Sequence, residues 1–386
     1  MSVDIDLILE KSVQMKASDV HIKAGSQPIV RIDGKLSALH DEKRLSSEDT
    51  LAIASHIMKE SHFETFKKTH DVDIAYGIAG QARFRCNCYM QRGSVCLVFR
   101  HISYDILDIE DLYLPVVLKK IALESRGLIL VTGTTGSGKS TTLASMIDYI
   151  NSNKTDNIIT IEDPIEFLHR DKNSIVSQRE LGSDTETFGK ALRAALRQDP
   201  DVILVGEMRD FETVQTALLA AETGHLVLST LHTTDAIETI NRIISVFPPY
   251  QHKQVRTQLA SVLRAIISMR LVPMADETGR VPAIEVLIAT ATIKGCIEDA
   301  DKTKQINDHI ADGFSQYGMQ TFDQSLLGLY QKGLITYEDA LSRATNPDDF
   351  ALKVKGVSST RDTYAADGSI LGDEGKEGPQ IERFSS

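Results

Sequence analysis

The hydrophobic pattern changes character once along the chain. Over residues 4–16, Ile5, Ile8, Leu9 and Val13 recur at helical spacing and predict a helix with one buried face. Short apolar segments at 19–23 and 29–32 predict strands, the second running into an Asp33-Gly34 turn. A helical stretch is expected over 47–68, then strands at 71–76, 82–90 and 95–102. The alternation in 82–90 is strict. Phe84, Cys86, Cys88 and Met90 take one face, and Arg83, Arg85, Asn87 and Tyr89 take the other. Together these elements predict a three-layer α+β module.

Further on, the apolar runs become continuous, at 128–132, 158–161, 202–205 and 226–231. A continuous run suits a strand buried on both faces, and the gaps leave room for crossover helices. The expected fold class is therefore α/β, a parallel sheet covered by helices. Residues 249–344 read as mostly helical, with late strands at 268–273 and 281–288. Leu326, Leu327, Leu329 and Tyr330 read as the core stripe of the C-terminal helices. The expected domains are 1–102, a linker at 103–113 that opens on a polar, acidic stretch, and 114–350. A tail over 351–386 reads as disordered, because 356–386 is rich in Gly, Ser, Asp and Glu and poor in large apolar side chains.

Composition narrows the class. A chain of 386 residues is too long for one ordinary core. With 42 basic against 54 acidic residues the net charge is −12, which disfavours non-specific nucleic-acid binding, so no nucleic-acid partner is expected. Four cysteines without a CxxC pair argue against a disulfide framework or a structural zinc, and Cys86 and Cys88 read as small core side chains. Residues 1–10 carry Asp4, Asp6 and Glu10 where a secretion signal would be basic and then apolar. No stretch approaches the ~18 apolar residues of a spanning helix. A cytoplasmic location is expected.

The chemistry begins at residues 133–140, Gly133-Thr134-Thr135-Gly136-Ser137-Gly138-Lys139-Ser140. This is GxxxxGK[ST], directly after an apolar strand and before a helical stretch that starts at Thr141, the context of a phosphate-binding loop. The glycines let backbone N–H groups turn inward around an anion, and the helix N-terminus adds partial positive charge. Lys139 is placed to reach the β- and γ-phosphates of a nucleotide, and the Ser140 hydroxyl to ligate Mg²⁺. A glycine-rich structural turn is the bland alternative, and the flanking strand and helix argue against it.

Polar residues end the other apolar runs: Glu162-Asp163-Pro164-Ile165-Glu166, then Gly206-Glu207, while His225 and His232 bracket the fourth run. Ligands of parallel sheets collect at the carboxyl ends of strands, so these groups are expected around the γ-phosphate. Glu207 is a candidate Mg²⁺ ligand. Glu162 and Glu166 are candidates to orient or deprotonate the attacking water, and His232 to sense the phosphate.

In order along the chain, these segments resemble the Walker A, Asp box, Walker B and His box of the type II/IV secretion ATPases. Ala17-Ser18-Asp19-Val20-His21, Arg197-Gln198-Asp199-Pro200-Asp201 and Glu207-Met208-Arg209-Asp210 extend the resemblance over roughly residues 1–350. The four-cysteine motif of the assembly branch is not in this sequence, and that branch's extra N-terminal domain is not expected. It resembles the PilT/PilU retraction branch. Residues 291–298 match the PilT pattern in part, and 319–324 with 335–341 look closer to PilU.

The resemblance implies a homo-hexameric ring that hydrolyses ATP with Mg²⁺ to power pilus retraction and twitching motility. It implies a PAS-like N-terminal domain and a RecA-like ATPase domain, with nucleotide between subunits. Glu166 maps to the catalytic base, Glu207 to the Mg²⁺ ligand, and His225 and His232 to the His box. Arg83, Arg85 and Arg100 are candidates to reach a neighbour's nucleotide, against the plain alternative of a solvated strand face. The implied partners are an inner-membrane pilus platform protein and a second retraction ATPase, with the ring peripheral at the pilus base. A pilus-assembly or type II secretion ATPase, a non-hydrolysing accessory ring and a nucleic-acid translocase stand as rivals.

Overall fold

A computed structural model describes residues 3–32, 34–78, 81–102 and 105–355. The expected disordered stretch at 356–386 lies outside the described residues. The chain divides into two compact units.

The first unit holds the chain up to Ile106, plus Asp163–Arg170 and Arg179–Glu186. Its sheet has six antiparallel strands: β1 (Asp19–Ile22), β2 (Ile29–Ile32), β3 (Lys35–Ala38), β4 (Asp71–Ile78), β5 (Ala82–Gln91) and β6 (Ser94–Ile102), in the order β3-β2-β1-β6-β5-β4. The helix Ile5–Gln14 starts at Asp4, whose carboxylate accepts from the N–H groups of Asp6 and Leu7. It buries Ile5, Ile8 and Leu9 in a core shared with Ile53, Phe84, Leu97 and Phe99.

The single helix expected over 47–68 is two, Ser47–Ile57 and Glu60–Thr69. Met58 and Lys59 take extended backbone between them, and Ser46 with Asp49 forms a capping box on the first. On β5 the buried face holds Ala82, Phe84, Cys86 and Cys88, while Met90 at the strand end is exposed. Cys86 and Cys88 are packed core thiols, and burial, with the neighbouring Cys88 thiol, pushes Cys86 well above the ordinary thiol range.

A contiguous ATPase domain over 114–350 does not match this division, because two short segments group with the first unit. The reason is local. Ile165 and Leu168 bury themselves with Ile102, and Glu180 pairs with Arg83.

The second unit is built on a seven-stranded sheet: β7 (Gly127–Thr132), β8 (Asn157–Glu162), β9 (Ile175–Glu180), β10 (Val202–Val205), β11 (Leu226–Leu231), β12 (Leu263–Pro273) and β13 (Arg280–Ile288), in the order β13-β12-β7-β11-β10-β8-β9. The strands β12, β7, β11, β10 and β8 run parallel, and β13 is antiparallel to β12. Every residue of β7, β10 and β11 is buried, which is why their sequences read as unbroken apolar runs.

Two differences from expectation concern the C-terminal part. The strand β12 starts at Leu263, inside the stretch expected to be helical. The helix His252–Val262 passes into it with no Gly or Pro to mark the change. The helix Pro347–Val354 continues the fold into the expected tail, with Asn346 as cap, Pro347 opening the helix and Phe350 fully buried. No helix among the described residues is long and apolar enough to cross a membrane.

Candidate active site

The turn after β7 carries the loop 133–138, and the helix Lys139–Asn153 follows. Gly133 has φ +145°, and a Cβ there would sit 2.5 Å from the Met269 carbonyl oxygen and 2.5 Å from Ser137 Oγ. Only glycine fits, because the Met269 carbonyl is backbone and cannot retreat cheaply, and the φ is one that L side chains avoid. Gly138 is the N-cap and offers no side chain to the first-turn N–H groups. An uncapped helix start leaves those donors to an anion. Ser137 is buried, and its Oγ has no hydrogen-bond partner among the described residues. Lys139 Nζ donates to the carbonyls of Gly133 at 2.8 Å and Thr134 at 3.0 Å, which folds it back onto the loop. Ser140 is exposed at the start of the helix, as are Thr134 and Thr135 in the loop; Thr141 is partly buried in the first helical turn.

Sheet register brings three further groups to the same carboxyl edge. Leu231 lies beside Thr132, so His232 follows β11 next to the loop's first residue. Val205 lies beside Ile161 on one side and Ser229 on the other, which sets Gly206-Glu207 between Glu162 and the end of β11. The backbone there is pinned. Gly206 N–H donates to Ile161 O at 2.8 Å, and Thr230 Oγ1 donates to Gly206 O at 2.6 Å. A Cβ on Gly206 would come 3.1 Å from that Ile161 oxygen, so the close approach calls for glycine.

Glu207 is mostly buried, pairs with Arg209 Nε at 2.6 Å and lies 3.4 Å from His232 Nε2. Glu162 accepts from Thr160 Oγ1 at 2.6 Å and Gln178 Nε2 at 3.0 Å. Asp210 caps the helix Phe211–Glu222 through Thr213 and so fixes the turn after Glu207. For Mg²⁺ the fitting donors are the Ser140 hydroxyl and the Glu207 carboxylate, hard oxygens of the type the ion takes. Among the described residues no three His, Cys, Asp or Glu side chains cluster as a cage. Mg²⁺ needs none where phosphate and water complete its shell.

His225 is a correction. It precedes β11, at the opposite end of that strand from His232, about 20 Å away for six residues at ~3.3 Å each. Its Nδ1 lies 2.9 Å from Ala220 O and 3.3 Å from Thr223 Oγ1, at the end of the helix Phe211–Glu222. Bracketing a strand puts one residue at each end, so His225 does not gather with the others in this chain.

Comparison with known proteins adds the family. The family model described as "Type II/IV secretion system protein" matches residues 1–312. The type IV pilus ATPase PilT of Pseudomonas aeruginosa is 45% identical over 348 residues, covering 90% of this chain and 100% of its own. PilU of the same organism is 41% identical, covering 92% of each. A crystal structure titled as the pilus retraction motor PilT with bound ADP superposes with a TM-score of 0.81 at 49% identity, over 90% of this chain and 98% of that one. The chain belongs to the type II/IV secretion ATPase family, in its PilT/PilU branch. It is an ATPase.

In this PilT/PilU-family chain the remaining candidates belong to the first unit. Glu166 is exposed on the segment anchored by Ile165 and Leu168. Ile165 N–H donates to Glu180 Oε2 at 3.3 Å, and the same oxygen meets Arg83 Nη2 at 3.5 Å. Arg83 is thus engaged within its own chain. Arg85 Nη2 lies 3.7 Å from Asp73. Arg100 donates through Nε to Asp19 at 3.0 Å, and its side chain is 72% exposed. Burial raises the Asp19 carboxyl, yet hydrogen bonds from Ser18 and Arg100 outweigh it and hold the group below its ordinary value. The Ala17-Ser18-Asp19 segment thus has a physical task, orienting Arg100.

Sequence reasoning missed Thr160, Gln178 and Thr230, which hold the acidic groups and their backbone, and it missed Glu180. Arg209 had a signal, since it falls two residues after Glu207 in a quoted motif. Glu180 had none, being 97 residues from Arg83.

Proposed function

We propose that this chain is a hexameric motor that couples ATP hydrolysis to type IV pilus retraction. The observation that carries the reading is the glycine-built loop before Lys139, with its uncapped helix start and buried Ser137. It lies in a chain matched over the whole length of PilT. In this reading the first unit is PAS-like and the second RecA-like. Backbone N–H groups of Gly136 and Gly138, with Lys139 and the Ser137 hydroxyl, hold the phosphates of ATP. Thr134, Thr135 and Thr141 line the same loop and helix start. Ser140 and Glu207 would hold Mg²⁺, which would supply positive charge to the phosphates.

Glu166 accepts a proton from the attacking water as the water oxygen bonds to the γ-phosphorus and the β–γ bridging oxygen leaves. His232, in contact with Glu207, senses the γ-phosphate, and Glu162 is held as a supporting carboxylate. Arg100, the most exposed of the three arginines, is the best candidate to reach a neighbouring subunit's nucleotide. Arg85 comes second, and Arg83 is committed to Glu180. A platform protein at the inner-membrane base of the pilus receives the motion, and a PilU- or PilT-type ATPase is a natural second partner.

One observation bears on the assembly or secretion alternative. The type II secretion system protein E of Aeromonas hydrophila is 36% identical, but only 53% of its length is matched. The full-length match to PilT favours the retraction branch. Purified chain should hydrolyse ATP with Mg²⁺ present, and Lys139→Ala should lower turnover at least ~100-fold, by loss of phosphate charge stabilisation. Equal turnover by both proteins would refute the site.

A further inference from the structure

Three polar side chains cross the apolar sheet of the second unit in one line. Register places Ser268 of β12 beside Thr132 of β7 and beside Glu285 of β13. All three are buried, and Thr132 is the last residue before Gly133. Thr132 Oγ1 donates to Ser268 Oγ at 3.1 Å, and Ser268 Oγ donates to Glu285 Oε1 at 3.3 Å. The same Oε1 accepts from the N–H of Ala236 at 2.8 Å. Ala236 opens the helix Ala236–Ser245, four residues after His232.

Capping does not by itself call for a buried carboxyl: Asp235 Oδ1 accepts from Glu238 N–H at 2.8 Å, and the remaining Ala236 N–H, which Glu285 takes, would be met as well by a neutral acceptor. Among the described residues no cation pairs with Glu285, so its burial is costly and packing does not repay it. A stability-costly group joined through Ser268 to the residue before the loop is a functional candidate.

We propose that Glu285 is a positioning residue for ATP turnover: through Ser268 and Thr132 it ties the end of the P-loop strand to the N–H that opens the helix after His232. The segment carrying His232 is then held at both ends, by β11 on one side and by Glu285 on the other. The 3.4 Å contact between His232 and Glu207 depends on that hold. Displacement at the loop passes along three hydrogen bonds to the helix start, and displacement there passes back.

The inference rests on the chain being an ATPase whose turnover needs Lys139. Steady-state ATP turnover of the full chain tests it with three variants. Glu285→Leu removes the acceptor, Ser268→Ala breaks the line while leaving Glu285 on Ala236, and Glu285→Gln keeps an acceptor oxygen. The expected result is a kcat about tenfold lower for Glu285→Leu and for Ser268→Ala, the size of a coupling lost between neighbouring groups, with KM for ATP within ~2-fold. The double variant should be no slower than Glu285→Leu alone, and Glu285→Gln should stay within ~3-fold of wild type.

A kcat unchanged per folded chain, with only thermal stability lowered, would overturn the proposal. So would simple additivity of the two breaks. Wild-type turnover indifferent to Lys139→Ala would instead sink the ATPase site itself, and the two failures are told apart by that control.

Discussion

Glu285 makes a sharp prediction about stability and pH. Burial pushes its carboxyl up to about 7 from an ordinary 4.5; the Asp235 charge pushes the same way, while the Ala236 N–H, Ser268 and the Arg270 charge oppose it. The folded chain therefore holds this proton more tightly than the unfolded chain. A group raised on folding contributes stability that is fully present below its unfolded value and is lost as pH rises through its folded value. The window runs from about pH 4.5 to just above pH 7.

A shift of roughly 2.5 units at ~1.4 kcal/mol each gives roughly 3–4 kcal/mol across the window. Glu285→Gln removes the titration and leaves every other titrating group in place. Urea unfolding of wild type and variant, at fixed chain concentration and ionic strength, should give a stability difference that moves by roughly 2–3 kcal/mol in the variant's favour between about pH 5 and about pH 8. Any fixed cost of the amide cancels from that change. A stability difference that stays constant over the same range would show that Glu285 does not titrate there, and the burial argument would fail.

Three further outcomes follow from the geometry. Gly133→Ala should abolish nucleotide binding and lower the melting temperature, because its Cβ would meet the Met269 carbonyl at 2.5 Å at a φ that L-residues avoid; nucleotide titration and thermal melts check it. Glu166→Gln should lower kcat by about 10²–10⁴ with KM for ATP little changed, as loss of a general base does; a parallel rise in KM would point to a binding role instead. Asp19→Asn frees Arg100, so its effect on turnover should match that of Arg100→Ala and not add to it, whereas additive losses would mean that the two act separately.

The parts of this molecule legible in the sequence are those written in local order. The loop at 133–140 has its strand before it and its helix after it, and the alternation of 82–90 is the buried pattern of β5 apart from its exposed end at Met90. Short exposed strands were not legible. Residues of β3 are largely exposed and those of β9 mixed, so neither leaves an apolar signature. The start of β12 was hidden because the apolar end of an amphipathic helix, Leu259 to Val262, runs into an apolar strand without a breaking residue.

Within the site, the acidic groups were found because they end apolar strands, and their holders were not. Thr160, Gln178 and Thr230 are ordinary polar residues whose tasks exist only once the strands are side by side. The His225 error has the same origin. Proximity to a strand in sequence does not say at which end of it a residue falls. Glu285 is one acidic residue in an apolar run of the sequence, and only the register of three strands gives it neighbours.

The central claim is that this ATPase pulls. Cells carrying Lys139→Ala in place of the native chain, with the variant protein present at wild-type level, test it by a count of surface pili together with twitching on a surface. The account predicts an excess of pili and lost twitching, since assembly continues while retraction stops. Cells bare of pili would mean that the chain drives assembly, and the retraction reading would be wrong.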